Sequence, residues 1–452
     1  MIPIRPVLAH GIVGRADLPI PATMFGVAAA AVLVISFAVL AAGWTTPKLE
    51  SPRERTLFRL PLAVDVVLGA LGFALFALAV YAGLAGTDIE QENFAPTAIY
   101  VLFWVGVPVA SLFIGNWFRL LSPWRAVGRA AGALVNRTGG GDDGMEALAY
   151  PPRLGCWPAV AGLFGFAVME LCWGRGTDPQ VLAIAALLYF VVQLVGMGLY
   201  GVEPWSRNGD TFGVYFGLFA SLAPIGRRED GKLVLRPPLS GAPRLARPAG
   251  MVALLCVAIG STTFDGAKEG PLFGSVVDNL QDFFTGLGLS KGAALEWSFV
   301  VGLLVCIGLV ALLYRIGVAG MGAAGGDQPA RGFVHSLVPI AAAYVVAHYF
   351  SLLAYQGQAG WWLLSDPLGD GSDWFGTAGG AIDYSVVSAT AIWYVQVGAL
   401  VLGHVSALVL AHDRALVVAG SPRAATRSQL AMLVVMVGFT SLGLWLLSVS
   451  NS

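Results

Sequence analysis

Ten runs of roughly 20 apolar residues, none holding a lysine or arginine, divide this chain of 452 residues. A segment of that kind in lipid must satisfy every backbone N–H and C=O internally, and outside a closed barrel only a helix does so. The sequence therefore predicts an all-α polytopic membrane bundle. Its spans are expected at 21–44, 61–83, 95–117, 156–173, 180–200, 249–264, 297–314, 334–356, 386–411 and 429–448. A composition of 57% hydrophobic and 12% charged residues excludes a soluble or disordered class. The net charge of -1 argues against a nucleic-acid partner. Cys156, Cys172, Cys256 and Cys306 all fall in apolar runs without CxxC spacing and read as small core residues. The first 20 residues lack the basic stretch and short apolar core of a secretory signal, so the run from Pro21 is expected to be retained as a span.

The loops between the runs alternate between crowded and nearly empty. Loops 45–60, 118–154, 201–248, 315–333 and 412–428 hold 21 of the 26 Lys and Arg residues. By the positive-inside rule these loops are cytoplasmic, which puts both termini on the exoplasmic face. One segment tests this scheme: Thr211 to Ile225 is apolar but only 15 residues long. If it spanned, six basic residues after it would move outside, so an interfacial or re-entrant cytoplasmic helix is expected, with Trp205 and Arg207 as headgroup anchors. The stretch after Trp124 is expected on the same surface.

The whole chain, 1–452, reads as one transmembrane domain with a repeat over about 61–154 and 156–248, followed by further helices over 249–452. Leu71-Gly72-Phe73 matches Phe164-Gly165-Phe166, and Gly86-Thr87-Asp88 matches Gly176-Thr177-Asp178. Pro123-Trp124 matches Pro204-Trp205; Asp143-Gly144 and Asp230-Gly231 are each followed by Pro-Pro. All five matches keep their order with offsets of 81 to 93 residues, which favours a duplicated two-span unit. Both copies enter from the same side, so the repeat is parallel, unlike the inverted halves of many carriers.

Asp65 and Glu170 are the acidic residues inside the spans. Asp65 lies about one turn from a span end and reaches water. Glu170 falls roughly 20 Å from the start of span four, in the outer leaflet, where a carboxylate is costly and marks a functional candidate. His348 lies at a similar depth on span eight, and Asp265 closes span six after Ser261, Thr262 and Thr263. His10, Asp17 and Asp383 flank span ends on the same side. Histidine and carboxylate converging on one surface suit zinc or a similar divalent ion, with His10 and His348 as the metal ligands and Glu170 and Asp265 as the catalytic carboxylates. No pair has a diagnostic spacing such as HExxH, and each side chain has the alternative of bonding a neighbouring helix. His335, His404 and His412 lie toward the other side. Haem is disfavoured, because His348 and His404 differ in depth by roughly 9 Å. His412, followed by Asp413 and Arg414, reads as a cap at a helix C-terminus.

Phe273, Val276, Val277, Leu280 and Phe284 form an apolar stripe over 272–287, expected as an amphipathic helix on the outer surface that covers span ends or forms a lid. Trp361, Trp362 and Trp374 read as an aromatic belt or the rim of a site for a lipophilic ligand.

The string His10-Gly11-Ile12-Val13-Gly14-Arg15-Ala16-Asp17, with Ser122-Pro123-Trp124-Arg125-Ala126, Ser261-Thr262-Thr263-Phe264-Asp265-Gly266, Gly403-His404 and Ala411-His412-Asp413-Arg414-Ala415, resembles a group of polytopic bacterial proteins, many actinobacterial. They carry the label membrane-bound fenitrothion hydrolase, and the resemblance covers essentially the whole chain. It implies hydrolysis of a lipophilic organophosphate triester in a bacterial plasma membrane, with a partner membrane subunit. It supplies no catalytic residue set. Three readings follow: a metal-dependent hydrolase with its site near the exoplasmic surface, a carrier or channel for a small hydrophobic solute or metal ion, and a scaffold subunit of a membrane complex.

Overall fold

The computed structural model describes residues 22–137, 147–228, 230–322 and 328–450. Each expected span coincides with a helix. The helices are α1 (Ala22–Gly43), α2 (Leu62–Ala85), α3 (Phe94–Ile114), α4 (Pro123–Arg137), α5 (Trp157–Leu171), α6 (Pro179–Tyr200), α7 (Val202–Asn208) and α8 (Thr211–Ala220). They continue with α9 (Met251–Lys268), α10 (Pro271–Gly286), α11 (Lys291–Ala319), α12 (Leu337–Gln356), α13 (Ala389–Val418) and α14 (Leu430–Ser450). Eight helices among the described residues are long and apolar enough to cross a bilayer, so this is a multi-pass membrane protein.

Local chemistry sets the helix ends. The Asp178 side chain accepts from the Gln180 and Val181 N–H groups with Pro179 in the first turn, while Ser290 and Ser388 cap α11 and α13 in the same way. Branched aliphatic residues on α1, α2 and α6, such as Val27, Ile35, Val66 and Leu188, face outward. By contrast, 72% of the apolar window of α9 and 78% of that of α12 are buried by protein. These two helices form the centre of the bundle and are free to carry polar groups that lipid would penalise. The middle of α3, Thr97–Gly106, is wound as a π-helix between Pro96 and Pro108, and the Val107 N–H reaches back to the Leu102 carbonyl. Pro108 has no N–H for the ordinary helical ladder, and the wider turn carries past it.

The crowded loops do meet at one end. There Asp413 accepts from the Trp44 indole at 2.9 Å, and Arg414 reaches Glu50 at 2.7 Å. Strands β1 (Arg55–Arg59), β2 (Ile225–Arg227) and β3 (Lys232–Leu235) form a small antiparallel sheet in the order β1-β3-β2 at this end. Five-residue or shorter strands inside basic loops leave no hydrophobic alternation to read, so the sheet is absent from the sequence expectation. Glu54 pairs with Arg228 at 3.2 Å and with Arg244, and Asp65 with Arg129 at 3.3 Å. Asp65 is thus neutralised by protein cations rather than by water alone. At the opposite end the sparse loops pair, with Thr177 donating to Glu90 at 2.6 Å and Thr87 N–H to the Leu368 carbonyl at 2.8 Å.

The segment from Thr211 departs from expectation in part. It does not lie at the surface: α8, ten residues long, lies inside the bundle with Phe212, Tyr215, Phe216 and Phe219 buried. Gly201, with φ of 86°, turns the chain back at the end of α6. Trp205 then lies flat on Gly196, where a Cβ would come within 2.1 Å of the ring, and its indole donates to Gln193 at 2.8 Å. It is an internal anchor, not a headgroup one, because the Gln193 acceptor lies inside. Arg207 stays exposed. Helix α4 lies along α2 with its later turns exposed, close to the surface placement expected. Helix α10 packs along the first half of α11, with Phe273 against Phe299 and Gly302, so its apolar stripe is used in a helical hairpin rather than lying unpaired on a surface.

The sheet end also holds a pH-sensitive brace. Glu203 bonds Arg125 at 2.6 Å and Arg119 at 2.7 Å. Partial burial alone would raise its pKa, but the two guanidinium groups outweigh this and hold the carboxyl below the usual range. A lowered folded-state value means the stabilisation is complete above the ordinary carboxylate range and lost as pH falls through the folded value. Thermal unfolding in detergent is expected to be flat from neutral pH to about 5 and to drop below about pH 4. Glu203→Gln should begin lower and show a shallower acid limb, with Glu54 and its arginines supplying the rest; an unchanged acid limb in the variant would remove the brace.

Candidate functional site

The end of α9 supplies the centre of the site. Ser261, Thr262 and Thr263 turn their hydroxyls back onto carbonyls of their own helix, at 3.1, 3.3 and 2.8 Å. Asp265, only 2% exposed, reaches across instead. Its Oδ2 lies 2.8 Å from His348 Nε2 and accepts from the Tyr349 hydroxyl at 2.9 Å, both on α12. Its Oδ1 meets the Lys268 ammonium at 2.8 Å, one helical turn further along α9. Two helices are therefore joined by one carboxylate. With Nε2 donating to Asp265, the other ring nitrogen of His348, Nδ1, is the acceptor. Nδ1 has no hydrogen-bond partner among the described residues and lies beside Gly266.

Glu170 sits in the last turn of α5, half-buried, with no hydrogen bond or ion pair among the described residues. It lies within electrostatic range of Asp265, Lys268, Tyr215 and Tyr349. One turn earlier on the same face, Phe166 packs on Trp104 at 4.7 Å and Tyr100 at 5.8 Å, both from the π-helical segment. Trp104 stacks on Tyr215 of α8 at 5.2 Å. The cluster is thus acid–base on one side and aromatic on the other.

Of the residues singled out in the sequence, Asp265 and His348 are in direct contact and Glu170 is their neighbour. His10 and Asp17 lie outside the described residues. Asp383 is held in the loop after α12, where its backbone N–H donates to Gln358. Trp361 and Trp374 are exposed, whereas Trp362 packs over Gly380. His412 and Asp413 do not cap a helix end, because α13 continues to Val418. They latch the 44–49 loop instead: His412 Nε2 bonds the Trp44 carbonyl at 2.9 Å, and Asp413 accepts from Lys48 and Leu49 N–H groups at 2.6 and 3.1 Å. At Gly403, α13 lies directly against Ala343 of α12, the helix that carries His348.

Lys268, Tyr349, Tyr215 and Trp104 escaped the sequence reading. Lys268 falls just past the apolar run, and the other three read as core. The Asp265/Lys268 spacing of three was the available signal.

No group of three His, Cys, Asp or Glu side chains is arranged for a metal among the described residues. Both Asp265 oxygens are taken by N–H, O–H and ammonium donors. The described set fits hydrogen-bond and proton chemistry, and an ammonium in contact with the carboxylate opposes a divalent ion there.

The chain matches no protein-family model, no curated protein and no solved structure. Its class rests on its own features: a polytopic helical membrane protein with an ionisable cluster set between the two most buried of its described membrane-length helices.

Proposed function

We propose that this is a bacterial plasma-membrane hydrolase of lipophilic organophosphate-type esters, with both termini and the cluster on the exoplasmic side. The observation that carries it is the Asp265–His348 contact inside the bundle. Asp265 fixes the imidazole so that Nδ1 takes a proton from water, the arrangement a general base needs. The water oxygen attacks phosphorus, the aryl-oxide departs, and the imidazolium returns the proton to it. Lys268 offsets charge that develops on the phosphoryl oxygen. Glu170 is a second proton acceptor on the far side of the cluster.

The test is nitrophenolate release from a dialkyl 4-nitrophenyl phosphate by the full chain in nanodiscs. His348→Gln is expected to lower turnover by about 100-fold or more; equal cleavage by the variant, or none by the native chain, ends the reading. Gly266→Ala gives a finer check. Its new methyl would lie 3.8 Å from Nδ1, an ordinary contact. Stability is expected to rise by roughly 0.5–1 kcal/mol in the helix, while turnover falls because the methyl crowds the water that Nδ1 must hold.

One observation favours a second reading, a proton-coupled carrier. The short helix α8 and the π-helical stretch of α3 both border the cluster, and interrupted helices are common at transport sites. Solute counterflow and proton uptake in proteoliposomes, insensitive to ester substrates, would select it.

A further inference from the structure

Trp104 and Tyr215 are 4% and 1% exposed, yet the Trp104 indole N–H and the Tyr215 hydroxyl have no hydrogen-bond partner among the described residues. Two buried donors without acceptors are each destabilising, and a native fold keeps them for a reason. They are neighbours, with rings stacked at 5.2 Å and an interplanar angle of 22°. They also face the site, since Phe166 against Trp104 lies one turn from Glu170 on α5, and Tyr215 is within electrostatic range of that carboxylate.

We propose that Trp104 and Tyr215 form a donor subsite for the neutral phosphoryl oxygen of a triester. The inference rests on the hydrolase reading and names how its substrate is held. Indole N–H only donates, so the bound atom is an acceptor. Asp265 and Lys268 offset each other at 2.8 Å, and the two neutral donors are buried, so an anion would lose its hydration there without a cation to replace it, which disfavours an anionic acceptor. A neutral triester is accepted, and the diester anion left by hydrolysis is disfavoured in the same place. The aromatic wall of Phe166, Phe212 and Tyr100 suits the aryl and alkyl groups. Tyr100 and Trp104, four residues apart on the π-helical stretch, both meet Phe166 of α5.

The experiment measures equilibrium binding of radiolabelled tri-n-butyl phosphate, which has no good leaving group, to the full chain in nanodiscs, with empty nanodiscs as background. Trp104→Phe and Tyr215→Phe should each weaken binding by about 10-fold, and dibutyl phosphate should not compete. Melting temperatures of both variants are expected within about 2 °C of the native chain, or above it, since each loses an unsatisfied donor. Unchanged binding in the double variant, no binding to the native chain, tight dibutyl phosphate binding, or a large fall in melting temperature each overturns the subsite. Triester binding without nitrophenolate release removes the hydrolase reading and leaves the subsite standing. Cleavage with binding unaltered in the variants does the reverse.

Discussion

Replacing Asp265 by alanine is expected to lower stability by about 3–5 kcal/mol, the range for stranding one partner of a buried ion pair. The loss has three parts. Lys268, with a side chain only 10% exposed, is left as an uncompensated cation. His348 Nε2 and the Tyr349 hydroxyl lose their common acceptor. The α9–α12 contact at the bundle centre loses its polar tie. Asp265→Asn keeps one acceptor oxygen but turns an NH₂ group toward either the ammonium or the imidazole, so an intermediate loss is expected. The decisive comparison is the double variant Asp265→Leu with Lys268→Met. Removing both charges together should recover most of the stability, because apolar groups of similar volume often replace a buried pair without penalty. It should not recover ester cleavage, since His348 is then unoriented. Unfolding in mixed micelles and nitrophenolate release measure the two effects separately. A double variant as unstable as Asp265→Ala would show that the pair's charges are not the source of the loss.

How much of this was legible follows from what each feature needs in sequence. The apolar helices were legible because lipid exposure demands unbroken apolar runs, and even α9 and α12 keep theirs. Their central position was not, since a buried helix and a lipid-facing one share the same composition; only the cluster of polar residues toward their ends hinted at it. Asp265, His348 and Glu170 stood out because carboxylates and imidazoles are rare in such runs. Trp104 and Tyr215 did not, because a membrane bundle has many aromatics, and what distinguishes these is an unmet donor, a property of the fold. The sheet was hidden for the opposite reason: its strands are too short and too charged to show alternation. Thr211–Ala220 was expected to be too short to span, and its helix is ten residues long. Its burial depends on Asp210, whose partners Trp124 and Tyr189 lie 86 and 21 residues away.

That dependence gives the second large expected effect. Asp210, 2% exposed, accepts from the Trp124 indole at 2.7 Å, the Tyr189 hydroxyl at 2.8 Å and the Gly213 N–H at 3.1 Å. It is at once the N-cap of α8 and the acceptor for two buried donors on α4 and α6. Asp210→Ala should cost about 3–5 kcal/mol, of which the cap accounts for about 1 and the two orphaned donors for most of the rest. Asp210→Asn keeps an oxygen for the cap and for Tyr189 but presents an N–H to the Trp124 N–H, so roughly 1–2 kcal/mol is expected. Trp124→Phe removes that clash, and the pair Asp210→Asn with Trp124→Phe should show a coupling of about 1 kcal/mol. The functional consequence separates this role from a generic core position. Helix α8 carries Tyr215 and Phe212 into the aromatic wall, so loosening its cap should weaken tri-n-butyl phosphate binding while the protein remains folded. Hydrogen exchange should rise across Thr211–Ala220 before it rises in α9 or α12. Exchange that increases uniformly, or α8 protection unchanged in Asp210→Ala, would mean that the short helix is held by its apolar faces and that Asp210 is incidental.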